Sequence, residues 1–128
     1  MTRPTSRKAA RRQALYLLYQ WDLTGQELAS LYEGEPDDFA RSLAEAVADR
    51  ADALDGRISS ASPDWPADRL GTLERNILRI GVYELEEETV PREVAINEAV
   101  VLAKRYATEE AARLVNGVLA RVAREEAT

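Results

Sequence analysis

The sequence predicts an all-α protein, a compact bundle of six to seven helices in a single domain spanning residues 1–128. Three observations carry this. Apolar residues recur at helical spacing in every long segment. Alanine, leucine, arginine and glutamate dominate over β-branched and aromatic types, a composition that favours helix. No segment shows the strict apolar–polar alternation of a half-buried strand.

The elements follow in order. Residues 6 to about 23 read as a first helix, with Thr5 or Ser6 as N-cap, and Ala10, Ala14, Leu17, Leu18 and Trp21 fall in one arc. Residues 1–5 are expected to be flexible, and Thr24-Gly25 ends the helix. A short helical turn is predicted over residues 27–32, bounded by Gly34 and Pro36. Phe39, Leu43, Val47, Leu54 and Ile58 then form a single apolar stripe. Asp37 and Asp38 stand in its first turn, where negative charge suits the helix dipole. Residues 59–66, "SSASPDWP", read as a loop.

Pro66 can open another short helix. Leu73, Ile77, Ile80 and Leu85 mark a helix of about 12 to 14 residues by their spacing, and Gly81 within it suggests close packing. "EEETVP" is a connector, and Pro91 suits the first turn of a helix reaching about Tyr106. Thr108 is the expected N-cap of a last helix, with Glu109 and Glu110 at its positive end. Leu114, Val115, Val118, Leu119 and Val122 continue its apolar face. Asn116-Gly117 is a strong turn dipeptide, yet no strands flank it. Gly117 is therefore expected mid-helix, admitting a neighbouring backbone where a side chain would collide.

Composition removes several chemistries. The chain has no cysteine and no histidine. It can therefore form no disulfide or thiolate metal site, and it lacks the usual base of nucleophilic triads. No apolar run reaches the roughly 20 residues of a membrane span. The basic N-terminus lacks the unbroken apolar stretch of a signal peptide. A cytoplasmic protein without membrane contact, metal, cofactor or catalytic residue is expected. There is no phosphate-binding glycine loop. The acidic runs at 85–88 and 124–126 read as solvated helix faces.

The net charge of −6 hides an asymmetry. Residues 1–21 carry five basic residues and no acid, while the other 107 carry all 23 acids and 12 bases. Such a basic segment is a hint of nucleic acid or an anionic surface. On a helical wheel Lys8, Arg12 and Tyr19 share one stripe beside the apolar arc, with Arg11 near its edge. A basic stripe ending in an aromatic can hold a phosphate backbone and stack a base; a solvated basic terminus explains the same residues. Glu74, Arg75 and Arg79 are outward candidates in the helix at 73–85, and Asn97 reads first as a hydrogen-bonded structural amide.

Taken together, "ARRQALYLLYQWDL" (10–23), "ILRIGVYEL" (77–85), "VPREVAINEAVVLAKRY" (90–106) and "LVNGVLARV" (114–122) resemble the NusB family of transcription antitermination factors. Order and spacing match over most of the chain, and residues 24–65 match in general helical character. The resemblance implies two packed helical subdomains. It also implies binding of single-stranded boxA RNA in nascent ribosomal transcripts together with NusE, a protein of the small ribosomal subunit. NusA, NusG and RNA polymerase then complete the elongation complex, and some family members form homodimers. Carried onto this sequence, the RNA-binding residues are Arg7, Lys8, Arg11, Arg12 and Tyr19, then Glu74, Arg75, Tyr106, Glu110 and Leu114. Asn97, Asn116 and Gly117 belong to the structural motifs. Many family members carry phenylalanine where this chain has Leu114, which can pack on a base but offers no π face. Two other readings remain: a free-standing relative of the RNA-binding module of ribosomal RNA methyltransferases, and a protein-only helical adaptor.

Overall fold

Ser6 turns the chain into its first helix: its hydroxyl oxygen accepts from the Ala9 N–H at 3.1 Å, satisfying a donor that the helix itself leaves open. The protein is described by a computed structural model covering residues 6–127. The flexibility expected of residues 1–5 lies outside the described residues. Six α-helices and two single 3-10 turns make up the described chain, with no strand among the described residues. The chain divides into two compact units, Met1–Arg50 and Ala51–Thr128.

The first unit is a helical hairpin. Helix α1 (Arg7–Thr24) ends at Gly25, whose φ of 75° is the left-handed C-cap that glycine adopts without penalty. A 3-10 turn at Leu28–Leu31 leads to α2 (Asp38–Asp49), capped by the Asp37 carboxylate accepting from the Ala40 N–H at 3.1 Å. Ala10, Ala14, Leu17 and Leu18 of α1 are buried, as are Ala40, Leu43, Ala44 and Val47 of α2. Small residues at four of these positions let the two helices come close.

The second unit holds four helices. The apolar stripe running through Val47 to Ile58 crosses a break at Arg50, so α3 begins afresh (Ala51–Ala61). Helix α3 also takes in Ser59 to Ala61, which the sequence placed in a loop. The Ser59 hydroxyl accepts from the Ala67 N–H at 2.9 Å, so its polar group serves the loop while its backbone continues the helix. Pro66 precedes a 3-10 turn at Ala67–Arg69. Helix α4 (Thr72–Glu87) has 16 residues, longer than predicted. Helices α5 (Arg92–Tyr106) and α6 (Glu109–Glu126) complete the unit, with the Thr108 hydroxyl accepting from the Ala111 N–H at 2.9 Å. Ile77, Leu78, Leu102, Val115, Leu119 and Val122 form its core.

The sequence suggested close packing at both Gly81 and Gly117, and the structure shows it at one. Gly117 is not a packing position: it is exposed, and a Cβ built on it meets nothing within 4 Å. Gly81 is the close approach, since a Cβ there would lie 2.6 Å from Leu119 Cδ1. The reason is helical phase. On α6 the buried residues Val115, Val118, Leu119 and Val122 define the inner face, and Gly117 points away from it.

Polar groups in this unit correct three further expectations. Arg79 does not face outward. It is 5% exposed and forms a two-pronged ion pair with Asp55, Nε to Oδ1 and Nη2 to Oδ2, both at 2.7 Å. Asn97, expected as a hydrogen-bonded structural amide within an apolar run, is exposed. The acidic runs are not merely solvated: Arg57 of α3 reaches Glu86 of α4 at 3.1 Å and Glu126 of α6 at 2.6 Å, with Glu125 at 3.9 Å. The hydrogen bond to Glu126 chiefly pushes the Arg57 pKa up, against the opposing effect of burial. Among the described residues, no buried side-chain nitrogen or oxygen lacks a hydrogen-bond partner.

Candidate nucleic-acid interface

Helix α1 supplies the first set of candidate residues, and its own packing sorts them. One face is buried in the hairpin, so the opposite face is left to solvent. Lys8, Arg12 and Tyr19 share that outer face at helical spacing, and all three retain exposure. Arg12 lies one turn before Tyr16, which is 57% exposed, and Leu23 further along is 60% exposed. A cationic end thus grades into an aromatic and apolar end along one stripe.

Arg11 is a correction to the sequence reading as a phosphate ligand. It is 3% exposed, and its guanidinium carbon stands 5.8 Å from the centre of the Phe39 ring. Arg7 keeps its exposure, with its guanidinium carbon over the same ring at 4.0 Å from its centre. Both are cation–π partners within the hairpin. The long aliphatic stems of arginine make such burial tolerable. Of the four basic residues expected to meet phosphate, Lys8 and Arg12 are therefore the ones the outer stripe presents, and Arg7, though exposed, is turned towards Phe39.

The second unit carries its own candidates. Glu74 stands in the first turn of α4 with its carboxylate folded back over Gly71, so that a Cβ at Gly71 would collide with it. That position suits a negative charge at a helix N-terminus. Arg75 Nη1 donates to the carbonyls of Leu70 at 3.0 Å and Ala67 at 3.3 Å, which fixes the loop before α4. Tyr106 ends α5 at 42% exposure, with the Arg105 guanidinium 5.4 Å from its ring centre. Two residues later Thr108 opens α6. There Glu110, Leu114 and Gly117 fall on one outer stripe, Glu110 and Gly117 exposed and Leu114 half-buried. The structure brings these three together, with exposed Asn116 on their flank.

Among the described residues there is no group of metal-ligating side chains, and no helix is long and apolar enough to cross a membrane. Two patches of cation, aromatic and open backbone remain, one on each unit. A model of the NusB family matches residues 8–124. The chain belongs to the NusB family.

Its curated relatives include the transcription antitermination protein NusB of Rubrobacter xylanophilus. That protein is 42% identical over 121 residues, covering 89% of this chain and 87% of the relative. NusB of Myxococcus xanthus is 39% identical over 132 residues, 92% and 94% of the two chains. Among solved structures, T. maritima NusB superposes with a TM-score of 0.84 at 33% identity, covering 94% of this chain and 92% of that one. A structure of the antitermination factors NusB and NusE in complex with double-stranded RNA gives a TM-score of 0.81 at 32% identity, with coverage of 93% and 96%. The NusB family serves transcription antitermination, a role that is not enzymatic.

Tyr16 is the residue that sequence reasoning missed. Its signal was present: it follows Arg12 by four positions, so it must share the outer face with it. Surrounded by leucines in "QALYLLYQW", it reads as core until the helical phase is fixed.

Proposed function

We propose that this NusB-family chain binds single-stranded boxA-type RNA in nascent ribosomal transcripts together with NusE. The assembly then joins NusA, NusG and RNA polymerase and helps elongation resist termination. The observation that carries the RNA reading is the outer stripe of α1. It aligns Lys8 and Arg12 with Tyr16 and Tyr19, phosphate ligands next to stacking platforms. Further support for RNA and NusE as partners comes from the solved relative in which NusB and NusE are in complex with double-stranded RNA.

In this reading Glu110, Leu114 and Gly117 form a second contact, with Tyr106 and Glu74 contributing from the same unit. An exposed glycine in mid-helix costs about 1 kcal/mol against alanine, and nothing inside the protein requires it. Its open surface instead lets an RNA backbone approach the helix closely. The near-complete coverage of antitermination proteins favours this function over a methyltransferase-associated module.

The test is titration of labelled boxA RNA, with and without NusE, at several salt concentrations. Two to three phosphates neutralised by Lys8, Arg12 and Arg7 give a log–log slope of about −1.4 to −2.1. Replacing Lys8 and Arg12 with alanine should flatten that slope by about 1.4. The loss should be equal for boxA and scrambled RNA, because phosphate contacts carry no direct sequence information. Binding to NusE alone, with no salt-dependent RNA affinity in any mixture, would instead make the chain a protein-only adaptor.

A further inference from the structure

On the flank of Tyr16 the first unit contains a cavity of about 610 Å³, lined by Gln13, Tyr16 and Leu17 of α1 and by the segment 31–36. That volume is in the range of small-ligand sites. Its chemistry is uneven. Two tyrosines, Tyr16 and Tyr32, supply aromatic rings, and the exposed Glu33 and Glu35 supply carboxylates. No cationic side chain lines it. Gln13 Oε1 accepts from the Asp37 N–H at 3.4 Å, which orients the amide and leaves its NH₂ as a donor. Tyr32 is anchored from behind, its hydroxyl donating to Glu45 at 2.9 Å.

Tyr16 belongs both to this cavity and to the basic stripe. A strand whose phosphates follow Lys8 and Arg12 therefore arrives at the cavity mouth. Phosphates are disfavoured inside, because the carboxylates repel them and no cation among the lining residues offsets that repulsion. A base carries no charge and can enter. An unstacked base finds aromatic faces for stacking and polar groups for its Watson–Crick edge, the usual recipe for reading single-stranded RNA. The polar groups also select. Carboxylates only accept hydrogen bonds, so they favour bases whose edge donates. Guanine offers N1–H and an exocyclic amino group to one carboxylate, and its O6 can accept from the Gln13 amide. Adenine and cytosine offer one amino group. Uracil presents a single N–H between two carbonyls, which face carboxylate oxygens unfavourably.

We infer that the Tyr16–Tyr32 cleft is a base-reading subsite that takes one flipped-out, amino-bearing base, guanine best, from RNA bound along α1. The inference rests on the RNA-binding reading of α1 proposed above.

The experiment measures fluorescence anisotropy of the full chain with two labelled decamers, oligo-uridine and the same strand with one central guanosine. The wild type should bind the guanosine strand about tenfold more tightly. Glu33→Gln with Glu35→Gln should reduce that ratio to about twofold or less while leaving the salt slope of the guanosine strand unchanged. Tyr16→Ala should weaken the guanosine strand about tenfold and lower the ratio too. Lys8→Ala with Arg12→Ala should weaken both strands equally and keep the ratio. Circular dichroism establishes that each variant is folded, which the exposure of these residues favours.

A wild-type ratio near one, or a ratio that survives the double glutamine change, overturns the subsite while leaving the RNA reading of α1 standing. Loss of all salt-dependent RNA binding overturns both. Should N-acetyl-arginine amide, and not guanosine, shift the ring resonances of Tyr16 and Tyr32, the cleft seats a basic protein segment and the base-reading inference fails.

Discussion

A methyl group added at Gly81 would stand 2.6 Å from Leu119 Cδ1 and 3.0 Å from Cδ2, and Leu119 is fully buried. The leucine therefore has no open space into which to swing. Gly81→Ala should destabilise the protein by about 1–3 kcal/mol through overpacking, even though alanine is the better helix former by about 1 kcal/mol. Gly117→Ala meets nothing and should stabilise by up to about 1 kcal/mol. Urea unfolding of the two variants checks the opposite signs. The sequence shows both glycines inside helical patterns, and it cannot show which faces inward until the phase of each helix is known. At Gly117 the dipeptide Asn116-Gly117 drew attention to the wrong helix face.

Tyr32 makes a second residue-scale prediction. Burial first, and then its hydrogen bond to Glu45, push its pKa from the ordinary 10.0 up to about 12. The folded protein thus prefers the protonated phenol. The stability this contributes is fully present below pH 10 and is lost as pH rises from about 10 to about 12. Tyr32→Phe has no proton to lose at this position. The stability difference between wild type and variant should be constant at pH 7–9 and move in favour of the variant between pH 10 and 12. Paired urea midpoints at each pH measure it, and a pH-independent difference contradicts it.

Among the elements, helix ends were the most legible feature of the sequence. Ser6 and Thr108 cap α1 and α6 as expected, because a hydroxyl followed by an amphipathic run has one obvious use. Interior boundaries were harder. The stripe from Phe39 to Ile58 continues in register through the break at Arg50, so periodicity alone gives no sign of it. "SSASPDWP" reads as loop by composition, yet three of its residues finish α3. Long-range polar pairing was invisible. Arg57 meets Glu86, 29 residues away, and Glu126, 69 residues away, and no local pattern marks such partners. This arginine ties α3 to the C-terminal ends of α4 and α6. Arg57→Met leaves three carboxylates facing one another and should cost about 1–3 kcal/mol, more at low salt than at high. Glu125→Gln removes the distant member at 3.9 Å together with an exposed pair to Arg121 at 3.6 Å, and should cost under about 1 kcal/mol. Urea unfolding at two ionic strengths separates them.

For the molecule as a whole, charge asymmetry pointed to the N-terminal helix but overstated how many of its cations face solvent. Counting residues cannot tell Lys8 and Arg12, which line the outer stripe, from Arg11, which is buried against Phe39's side of the hairpin. An arginine near the edge of an apolar arc can go either way, and the aromatic residue that decides it lies 28 positions along the chain. The cavity beside Tyr16 was equally hidden, since most of its far wall comes from residues 33–36, which carry no helical pattern.

That segment has a practical consequence for protease susceptibility. Residues 25–37 hold Glu27, Glu33 and Glu35, and the chain has no lysine or arginine between Arg12 and Arg41. Exposed loops are preferred sites of nicking, yet trypsin has no bond to cut here. A glutamate-specific endopeptidase does: it should cleave the folded protein first after Glu27 or Glu33, since Pro36 blocks the bond after Glu35. Mass spectrometry of early fragments reads this directly, and early cuts confined to the glutamates of α4 or α6 would contradict it. Trypsin resistance of this segment thus reports the spelling of a loop rather than its absence.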